Sequence, residues 1–201
     1  MNHTDQNPPT NPKKRAIAII PARYDSVRLP GKALLEIAGK PMICWVVARV
    51  RAARSIERVI VATDDERVFQ AVVAAEGEAV ITSSSHASGT DRIAEVATAI
   101  QDAEIIVNVQ GDEPMISSAT IDLAVDRLAT DIEAGIVTTW EPIEDPSDVL
   151  NPDVVKIVVD DDDRALYFSR SPVPYPRDAV RPHHRFCPHG CRRLRVDRRS
   201  Y

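Results

Sequence analysis

The sequence has few cysteines and no long apolar run, and both absences limit the kind of protein it can encode. Its three cysteines, Cys44, Cys187 and Cys191, are an odd number without a regular spacing. This argues against a disulfide-stapled fold and predicts a reducing, cytoplasmic compartment. No apolar stretch reaches the roughly 20 residues that a membrane helix needs, and the polar, proline-rich residues 1–15 lack the apolar centre of a secretory signal. We therefore do not expect a membrane protein.

A positive net charge is also missing. The formal net charge is -5, so the overall charge balance does not predict a nucleic-acid partner. The hydrophobic content of 44% over 201 residues is enough for one core of ordinary domain size and excludes a disordered protein as a class. We expect residues 1–15 to be a disordered tail ahead of a cytoplasmic domain.

Short apolar runs alternate with amphipathic segments along most of the chain. The predicted strands are 16–20, 58–62, 78–81, 105–109 and 136–140, and the predicted helices are 41–54, 65–75, 91–100 and 118–130. This alternation predicts right-handed βαβ units. The expected fold class is α/β, with a Rossmann-like, mostly parallel sheet and helices on both faces. Ligands bind beyond the carboxyl ends of such strands, so a site is expected in the loops that follow them.

The loop after the first strand, PARYDSVRLPGK at residues 21–32, carries the cations Arg23, Arg28 and Lys32. Guanidinium groups bind phosphate oxygens in bidentate fashion, and a lysine adds a movable point charge. The loop is thus suited to a triphosphate, although it has no glycine-rich P-loop motif. A solvated basic turn is the alternative interpretation. The position directly after a buried strand favours phosphate binding.

Two acidic residues, Asp112 and Glu113, follow the predicted strand 105–109 in the sequence QGDEP. Carboxylate oxygens are the ligands that Mg²⁺ prefers, and Mg²⁺ bound to nucleotide phosphates needs only one or two of them. The alternative is an acidic turn that caps the helix starting near Ser117 or Ser118. The expected position at the edge of the sheet favours a metal site.

The segment TSSSHASGTDR, residues 82–92, is dense in hydroxyl groups. Small hydroxyl side chains and exposed amides can bind the edge of a base, and Gly89 would let the backbone approach a ring closely. An N-cap of the next helix by Thr90 is the alternative, and it is compatible with base binding. His86 alone is weak evidence for acid–base catalysis.

Taken together in chain order, several blocks resemble the 3-deoxy-manno-octulosonate cytidylyltransferase family: PARYDSVRLPGKALLEIAGKPMI, VIVATDDERV, SSHASGTDRIAEV, IIVNVQGDEPMI, NPDVVKIVVD and ALYFSRSPVPYPRD. The resemblance runs from about Ile17 to Asp178. It implies a fold of the nucleotide-diphospho-sugar transferase type. It also implies a reaction that joins the anomeric 2-hydroxyl of 3-deoxy-D-manno-octulosonate (Kdo) to the α-phosphate of CTP. Pyrophosphate is released, and CMP-Kdo is used in lipopolysaccharide biosynthesis.

The resemblance further implies partners, a cofactor and site residues. The partners are CTP and Kdo, with no nucleic acid or membrane, the cofactor is Mg²⁺, and the family is typically a homodimer. It implies that the β- and γ-phosphates are bound by Arg23, Ser26, Arg28 and Lys32, and that Mg²⁺ is bound by Asp112. Cytidine would be bound by Ser88, Gly89, Thr90 and Arg92. Gln110 would lie near the nucleotide and the sugar, and Arg170 would bind the sugar acid. Arg23, Lys32 and Asp112 would be the catalytic groups, because positioning and charge neutralisation dominate nucleotidyl transfer.

The resemblance stops after residue 178. The family continues with a histidine, a Gly-x-Tyr strand and a second metal-binding aspartate near a Thr-Pro-Glu-Asp motif, none of which follows here. Residues 177–201 instead contain eight arginines and two aspartates. We expect residues 16–178 to form a cytidylyltransferase domain whose C-terminal part is missing. Residues 179–201 are expected to be a disordered arginine-rich tail produced by a frameshift or truncation.

Other interpretations of the tail and of the whole chain stay open. A zinc site at Cys187, His189 and Cys191 lacks the paired spacing of structural zinc modules, and an arginine-rich nucleic-acid arm would follow an acidic body. For the whole chain, the alternative to a Kdo enzyme is an inactive fragment that retains at most weak CTP binding. A sialic-acid cytidylyltransferase is a further rival, disfavoured by the HASGTDR and QGDEP sequences.

Overall fold

The computed structural model describes residues 15–25 and 29–174 and the backbone of residues 192–194. The chain divides into two compact units, Met1–Ile132 and Glu133–Tyr201. Each unit has its own sheet. Within the described residues, no helix is both long enough and apolar enough to cross a membrane.

The first unit is a parallel sheet with the strand order β5-β4-β1-β6. Its elements in chain order are β1 (Ala16–Ala22), a 3-10 helix (Lys32–Leu34), the hairpin strands β2 (Glu36–Ile37) and β3 (Lys40–Pro41), α1 (Met42–Arg51), β4 (Ile56–Thr63), α2 (Glu66–Ala74), β5 (Glu78–Ile81), α3 (Gly89–Thr98), β6 (Ile105–Asn108) and α4 (Ser118–Thr130). The predicted parallel α/β fold is confirmed, and each predicted strand and helix up to residue 130 is present with small shifts at its ends.

Strand β1 lies inside the sheet, and its side chains alternate between two hydrophobic cores. Ala18 and Ile20 pack in a cluster with residues of α1, α2 and α4, whereas Ile17 and Ile19 pack in a second cluster with residues of α3. Every residue of β1 is buried. A strand covered on both faces needs apolar side chains on both, and each fully buried isoleucine stabilises the fold by about 2 kcal/mol.

A buried carboxylate fastens α4 to the turn after α1. Asp122 is 7% exposed and accepts hydrogen bonds from the Ser55 amide at 2.8 Å and from Arg54 Nε at 3.3 Å. Burial acts to raise the pKa of Asp122, but hydrogen bonds from Ser55 and Arg54 outweigh it and lower the pKa to about 2. The charged form of Asp122 is therefore the form that stabilises the fold.

The second unit contains an antiparallel sheet with the strand order β7-β10-β8-β9. Its elements are β7 (Trp140–Pro142), α5 (Pro146–Leu150), β8 (Lys156–Val159), β9 (Ala165–Ser169) and β10 (Arg192–Leu194). Val155 and Ile157 form its small buried core, against which Trp140, Val159 and Phe168 pack.

The second sheet bears on two predictions from the sequence, the strand at 136–140 and the tail 179–201. The strand predicted at 136–140 was wrong, because a strand begins only at Trp140 and pairs in the second sheet. Ile136, the apolar start of that predicted strand, is 88% exposed and has no core to enter. Strand β10 lies within the predicted tail 179–201. The other residues of 175–201, with the zinc interpretation of Cys187, His189 and Cys191, lie outside the described residues, so the tail's disorder stays a prediction.

Candidate functional site

The parallel strands of the first unit bring four loops to one edge of the sheet. These loops follow β1, β4, β5 and β6, and they are the same loops in which the sequence predicts a site. Side-chain contacts join them in pairs, so the edge is a continuous structure rather than four independent turns.

The loop after β1 is shaped by Arg23 and Gly31. Arg23 Nη2 donates a hydrogen bond to the His86 carbonyl at 2.7 Å, which links this loop to the one after β5. Gly31 has φ 71° and donates its amide to the Tyr24 carbonyl at 2.8 Å. A Cβ at Gly31 would lie 3.1 Å from the Tyr24 ring. Both the positive φ and this close approach favour glycine at the turn. Residues 26–28 lie outside the described part, so the roles of Ser26 and Arg28 stay predictions.

A cation–π contact that the sequence did not reveal supports the same loop. The Arg67 guanidinium lies 3.3 Å from the centroid of the Tyr24 ring, and Arg67 Nη2 donates to Asp65 Oδ2 at 2.6 Å. Hydrogen bonds from Arg67 lower the pKa of Asp65, which also caps α2. Arginine on an aromatic face holds the ring in place. Arg67, in the first turn of α2, thus supports the loop after β1.

An ion pair joins the loop after β1 to the loop after β6. Lys32 Nζ lies 2.5 Å from Asp112 Oδ2, and the two side chains are 37% and 36% exposed. The predicted phosphate cation and the predicted metal ligand are therefore in contact with each other. The helix that follows is capped by Ser117, so Asp112 does not serve as its cap and remains accessible to a ligand.

Gly111 allows the loop after β6 to approach the end of β1 closely. A Cβ at this position would lie 2.9 Å from the Pro21 carbonyl oxygen and 3.4 Å from Ala22 Cβ. The loop therefore lies directly against the end of β1, and only glycine fits. In the sequence, a glycine lies between the end of the predicted strand 105–109 and two acidic residues, and this pattern could have indicated the close approach. The neighbouring Gln110, predicted near the substrates, donates Nε2 to Asn108 Oδ1 at 3.0 Å.

Helix α3 begins inside the hydroxyl-rich segment and is capped by Ser88. Ser88 Oγ accepts from the Asp91 amide at 3.1 Å, and the Asp91 carboxylate accepts from the Ser88 amide at 3.0 Å. The alternative interpretation, in which Thr90 is the cap, was wrong, because the helix starts at Gly89 and Thr90 is in its first turn. Ser88 forms the reciprocal capping box with the acid three residues later, and its hydrogen bonds lower the pKa of Asp91.

A carboxylate from α3 closes the segment before this cap. Glu95 Oε2 contacts His86 Nε2 and also accepts the Ser83 amide at 3.1 Å. The hydrogen bond with His86 is the main cause that lowers the pKa of Glu95. His86 is thus part of the loop's structure, which agrees with the weak case for it as an acid or base.

Arg92 lies inside the protein at the base of the same segment. Its side chain is 0% exposed, and Nη2 donates to Asp64 Oδ2 at 2.6 Å. A second hydrogen bond from Nη1 reaches Thr82 Oγ1. These contacts connect the ends of β4 and β5 through the first turn of α3. The structure thus gives Arg92 partners within the protein, and its predicted contact with cytidine stays a prediction.

The remaining residues predicted to bind substrates belong to different units of the chain. The backbone at Gly89 runs past Pro21, and a Cβ there would be 3.4 Å from Pro21 Cγ. Arg170 belongs to the second unit, where its Nη1 donates to the Pro152 carbonyl at 2.9 Å. The roles of Gly89, Thr90 and Arg170 in binding stay predictions.

The arrangement at the edge of the first sheet suits a polyanion accompanied by a cation. Arg23 and Lys32 supply positive charge, and Asp112 supplies a hard carboxylate oxygen. Among the residues that the structure describes, no group of three histidine, cysteine or acidic side chains could hold a metal unaided. A metal at Asp112 would therefore need further oxygen ligands from a bound molecule or from water.

The chain is similar to known proteins over most of its length. The family model described as cytidylyltransferase matches residues 17–195. A relative from Geobacter metallireducens, a 3-deoxy-manno-octulosonate cytidylyltransferase, is 55% identical over 161 residues, which are 80% of this chain and 63% of the relative. A relative of the same name from Syntrophobacter fumaroxidans is 48% identical over 168 residues, covering 83% of this chain and 67% of the relative.

A solved structure gives the same picture in three dimensions. It is described as CMP:2-keto-3-deoxy-manno-octonic acid synthetase complexed with CTP, and it superimposes with a TM-score of 0.79 at 43% identity. The match covers 90% of this chain and 70% of that one. The chain thus spans about two thirds of the length of the proteins that it resembles.

Proposed function

We propose that this chain, which belongs to the 3-deoxy-manno-octulosonate cytidylyltransferase family, transfers CMP from CTP to Kdo and releases pyrophosphate. The observation that carries the proposal is the contact between Lys32 and Asp112, at 2.5 Å. It brings a phosphate-binding cation and a carboxylate suited to a metal together at the carboxyl edge of a parallel sheet, where nucleotides bind in such folds.

In this proposal, the loop after β1 binds the β- and γ-phosphates. Arg23 is held by the His86 carbonyl, and Gly31 sets the turn that leads to Lys32. Ordered cations stabilise charge that develops on the departing pyrophosphate without a further cost of reorganisation. Lys32 can leave Asp112 for a phosphate oxygen, because both side chains are partly exposed.

The reaction is an in-line displacement at the α-phosphate. The anomeric 2-hydroxyl oxygen of Kdo forms the new P–O bond, and the bond to the bridging β-phosphate oxygen breaks with its electron pair leaving on pyrophosphate. The hydroxyl proton passes to solvent. The chain contributes mainly position and charge neutralisation, which is consistent with a site of cations and short hydrogen-bonded loops.

Magnesium is part of the proposal, and the residues fit it. Asp112 offers an accessible carboxylate oxygen beside the phosphate-binding cations, which is the donor that Mg²⁺ prefers. When bound there, Mg²⁺ would neutralise charge on the phosphates. Asp112 would be the residue that holds it.

The base and the sugar are assigned to different parts of the chain. The segment 82–92 would bind cytidine, with Ser88 and Thr90 at the start of α3 and Arg92 beneath them. Gln110 would lie near the nucleotide and the sugar. Arg170 would bind the sugar acid, because a guanidinium pairs well with a carboxylate. The family resemblance supports a homodimer and a role for CMP-Kdo in lipopolysaccharide biosynthesis. A cytoplasmic location is supported by the resemblance and by the few cysteines.

Pyrophosphate release by the purified chain tests the proposal. The assay contains CTP, Mg²⁺ and freshly supplied Kdo, with sialic acid as the comparison sugar. Release with Kdo and not with sialic acid is expected. Faster release with sialic acid would overturn the sugar assignment. Binding of CTP without release would favour a nucleotide-binding module without turnover, and a folded chain that does not bind CTP would contradict the proposal altogether.

A further inference from the structure

Lys156, at the start of β8, is a lysine buried almost completely in the second unit. It is 2% exposed, and its ammonium group donates to the carbonyls of Asn151 at 3.0 Å, Val154 at 2.8 Å and Arg170 at 2.6 Å. An ammonium group has three N–H donors. All three are therefore used on backbone oxygens, and none of these hydrogen bonds goes to a carboxylate.

A buried charge in such a place is expensive for the fold. Burial and repulsion from Arg170 lower the pKa of Lys156, and attraction to Asp148 opposes this in part. Its strand neighbour Ile157, 3% exposed, packs in the small core of this unit. An apolar side chain at 156 would avoid the cost of burying the charge, and replacement of buried ions by apolar residues is often neutral or stabilising. Stability alone is thus a poor reason for a lysine here.

The contacts of Lys156 instead fix the position of Arg170. Residue 156 pairs with Ser169, the last residue of β9, so Arg170 directly follows the strand. The carbonyl of Arg170 accepts from Lys156, and the guanidinium of Arg170 donates to Pro152, in the same turn that Lys156 holds through Asn151 and Val154. Backbone and side chain of Arg170 are therefore both tied to the turn 151–154.

We propose that Lys156 is a positioning residue that holds Arg170 for the carboxylate of the sugar acid. The proposal rests on the function proposed above. The ammonium of Lys156 lies 2.6 Å from the carbonyl oxygen of Arg170, so its removal would release the backbone that carries the guanidinium. A fixed guanidinium also loses little freedom when a ligand binds. The predicted consequence is selective: the affinity for the sugar acid depends on Lys156, and the affinity for CTP does not.

The test measures how strongly the chain prefers Kdo over the methyl ester of Kdo, in which the carboxylate charge is absent. Lys156→Met keeps the length of the side chain and removes the charge, and Lys156→Gln serves if the first variant does not fold. Titration calorimetry with Kdo, the ester and CTP gives three affinities for each protein. Because Kdo and the ester bind the same folded molecules, their ratio is insensitive to partial unfolding.

We expect the wild-type chain to prefer Kdo over its ester at least about tenfold, as befits a charge-assisted contact. Either variant should lower that preference at least about fivefold and leave CTP affinity within about twofold. Ile157→Val, which trims the neighbouring core without touching Arg170, should keep the full preference.

Each other result has a distinct meaning. An unchanged preference in Lys156→Met or Lys156→Gln would overturn the inference and leave the proposed function standing. The same loss in Ile157→Val, or variants that both unfold, would assign Lys156 to stability and overturn it as well. A wild-type chain that binds CTP and not Kdo would contradict both the inference and the sugar assignment. A folded chain that binds neither would contradict the proposed function as a whole.

Discussion

Replacement of Arg92 by methionine tests whether this residue holds the edge of the first sheet together. The substitution removes a guanidinium that is 0% exposed and leaves the Asp64 carboxylate without its partner at 2.6 Å. Loss of one member of a buried pair costs about 3–5 kcal/mol. Since the Asp64 side chain is 18% exposed and water can reach it, we expect the lower end, about 3 kcal/mol.

Thermal unfolding followed by circular dichroism gives the comparison. For a chain of this size, each kcal/mol lowers Tm by about 2–4 °C, so Arg92→Met should melt about 6–12 °C below the wild type. Arg127→Met is the matched control. Its guanidinium lies 3.8 Å from Asp131 and is 57% exposed, so we expect a loss below about 1 kcal/mol. A fall in Tm for Arg92→Met no larger than that of the control would refute the reasoning.

Three further predictions concern other parts of the first unit. Gly111→Ala places a Cβ 2.9 Å from the Pro21 carbonyl oxygen, so it should destabilise the chain by about 1–3 kcal/mol in a denaturant titration; an unchanged midpoint would show that the loop moves freely. Lys32→Ala should weaken CTP binding at least about tenfold. The control is Lys40→Ala, which should not weaken it, because the Lys40 ammonium lies over the Trp45 ring. Equal losses of CTP affinity in both variants would count against the phosphate role of Lys32. The pKa of Asp122 is lowered from 3.8 to about 2 in the folded chain. Its contribution to stability is therefore complete above about pH 4 and is lost as the pH falls through 2. Asp122→Asn should flatten this part of the acid unfolding curve, and a curve of unchanged shape would contradict the role of Asp122.

The sequence predicted the first unit well because its signals were local. The apolar run that begins at Ala16 predicts a strand that is buried on both faces, and every residue of β1 is buried. The strand predicted at 136–140 failed for the opposite reason. An apolar run does not reveal whether a core exists to receive it, and Ile136 is 88% exposed. The antiparallel pairing of the second unit depends on residues far apart in the chain.

The site shows the same division between local and long-range information. The charged and hydroxyl-rich loops were visible in the sequence, and the topology explains why they meet. The partners of each side chain were not visible. Asp64, for example, lies 28 positions from Arg92 along the chain, and Lys32 lies 80 positions from Asp112. The cap at Ser88 was within reach, since a serine followed by an acid three residues later is a known helix start.

The central claim is that the loops after β1, β5 and β6 form one site for CTP with Mg²⁺, and a titration of CTP in the presence and absence of Mg²⁺ tests it most directly. Comparison of the wild type with Asp112→Asn, which keeps the size of the side chain and removes its charge, isolates the carboxylate. We predict that Mg²⁺ tightens CTP binding to the wild type at least about tenfold and that this effect is lost in the variant. A full Mg²⁺ effect in Asp112→Asn would contradict the claim.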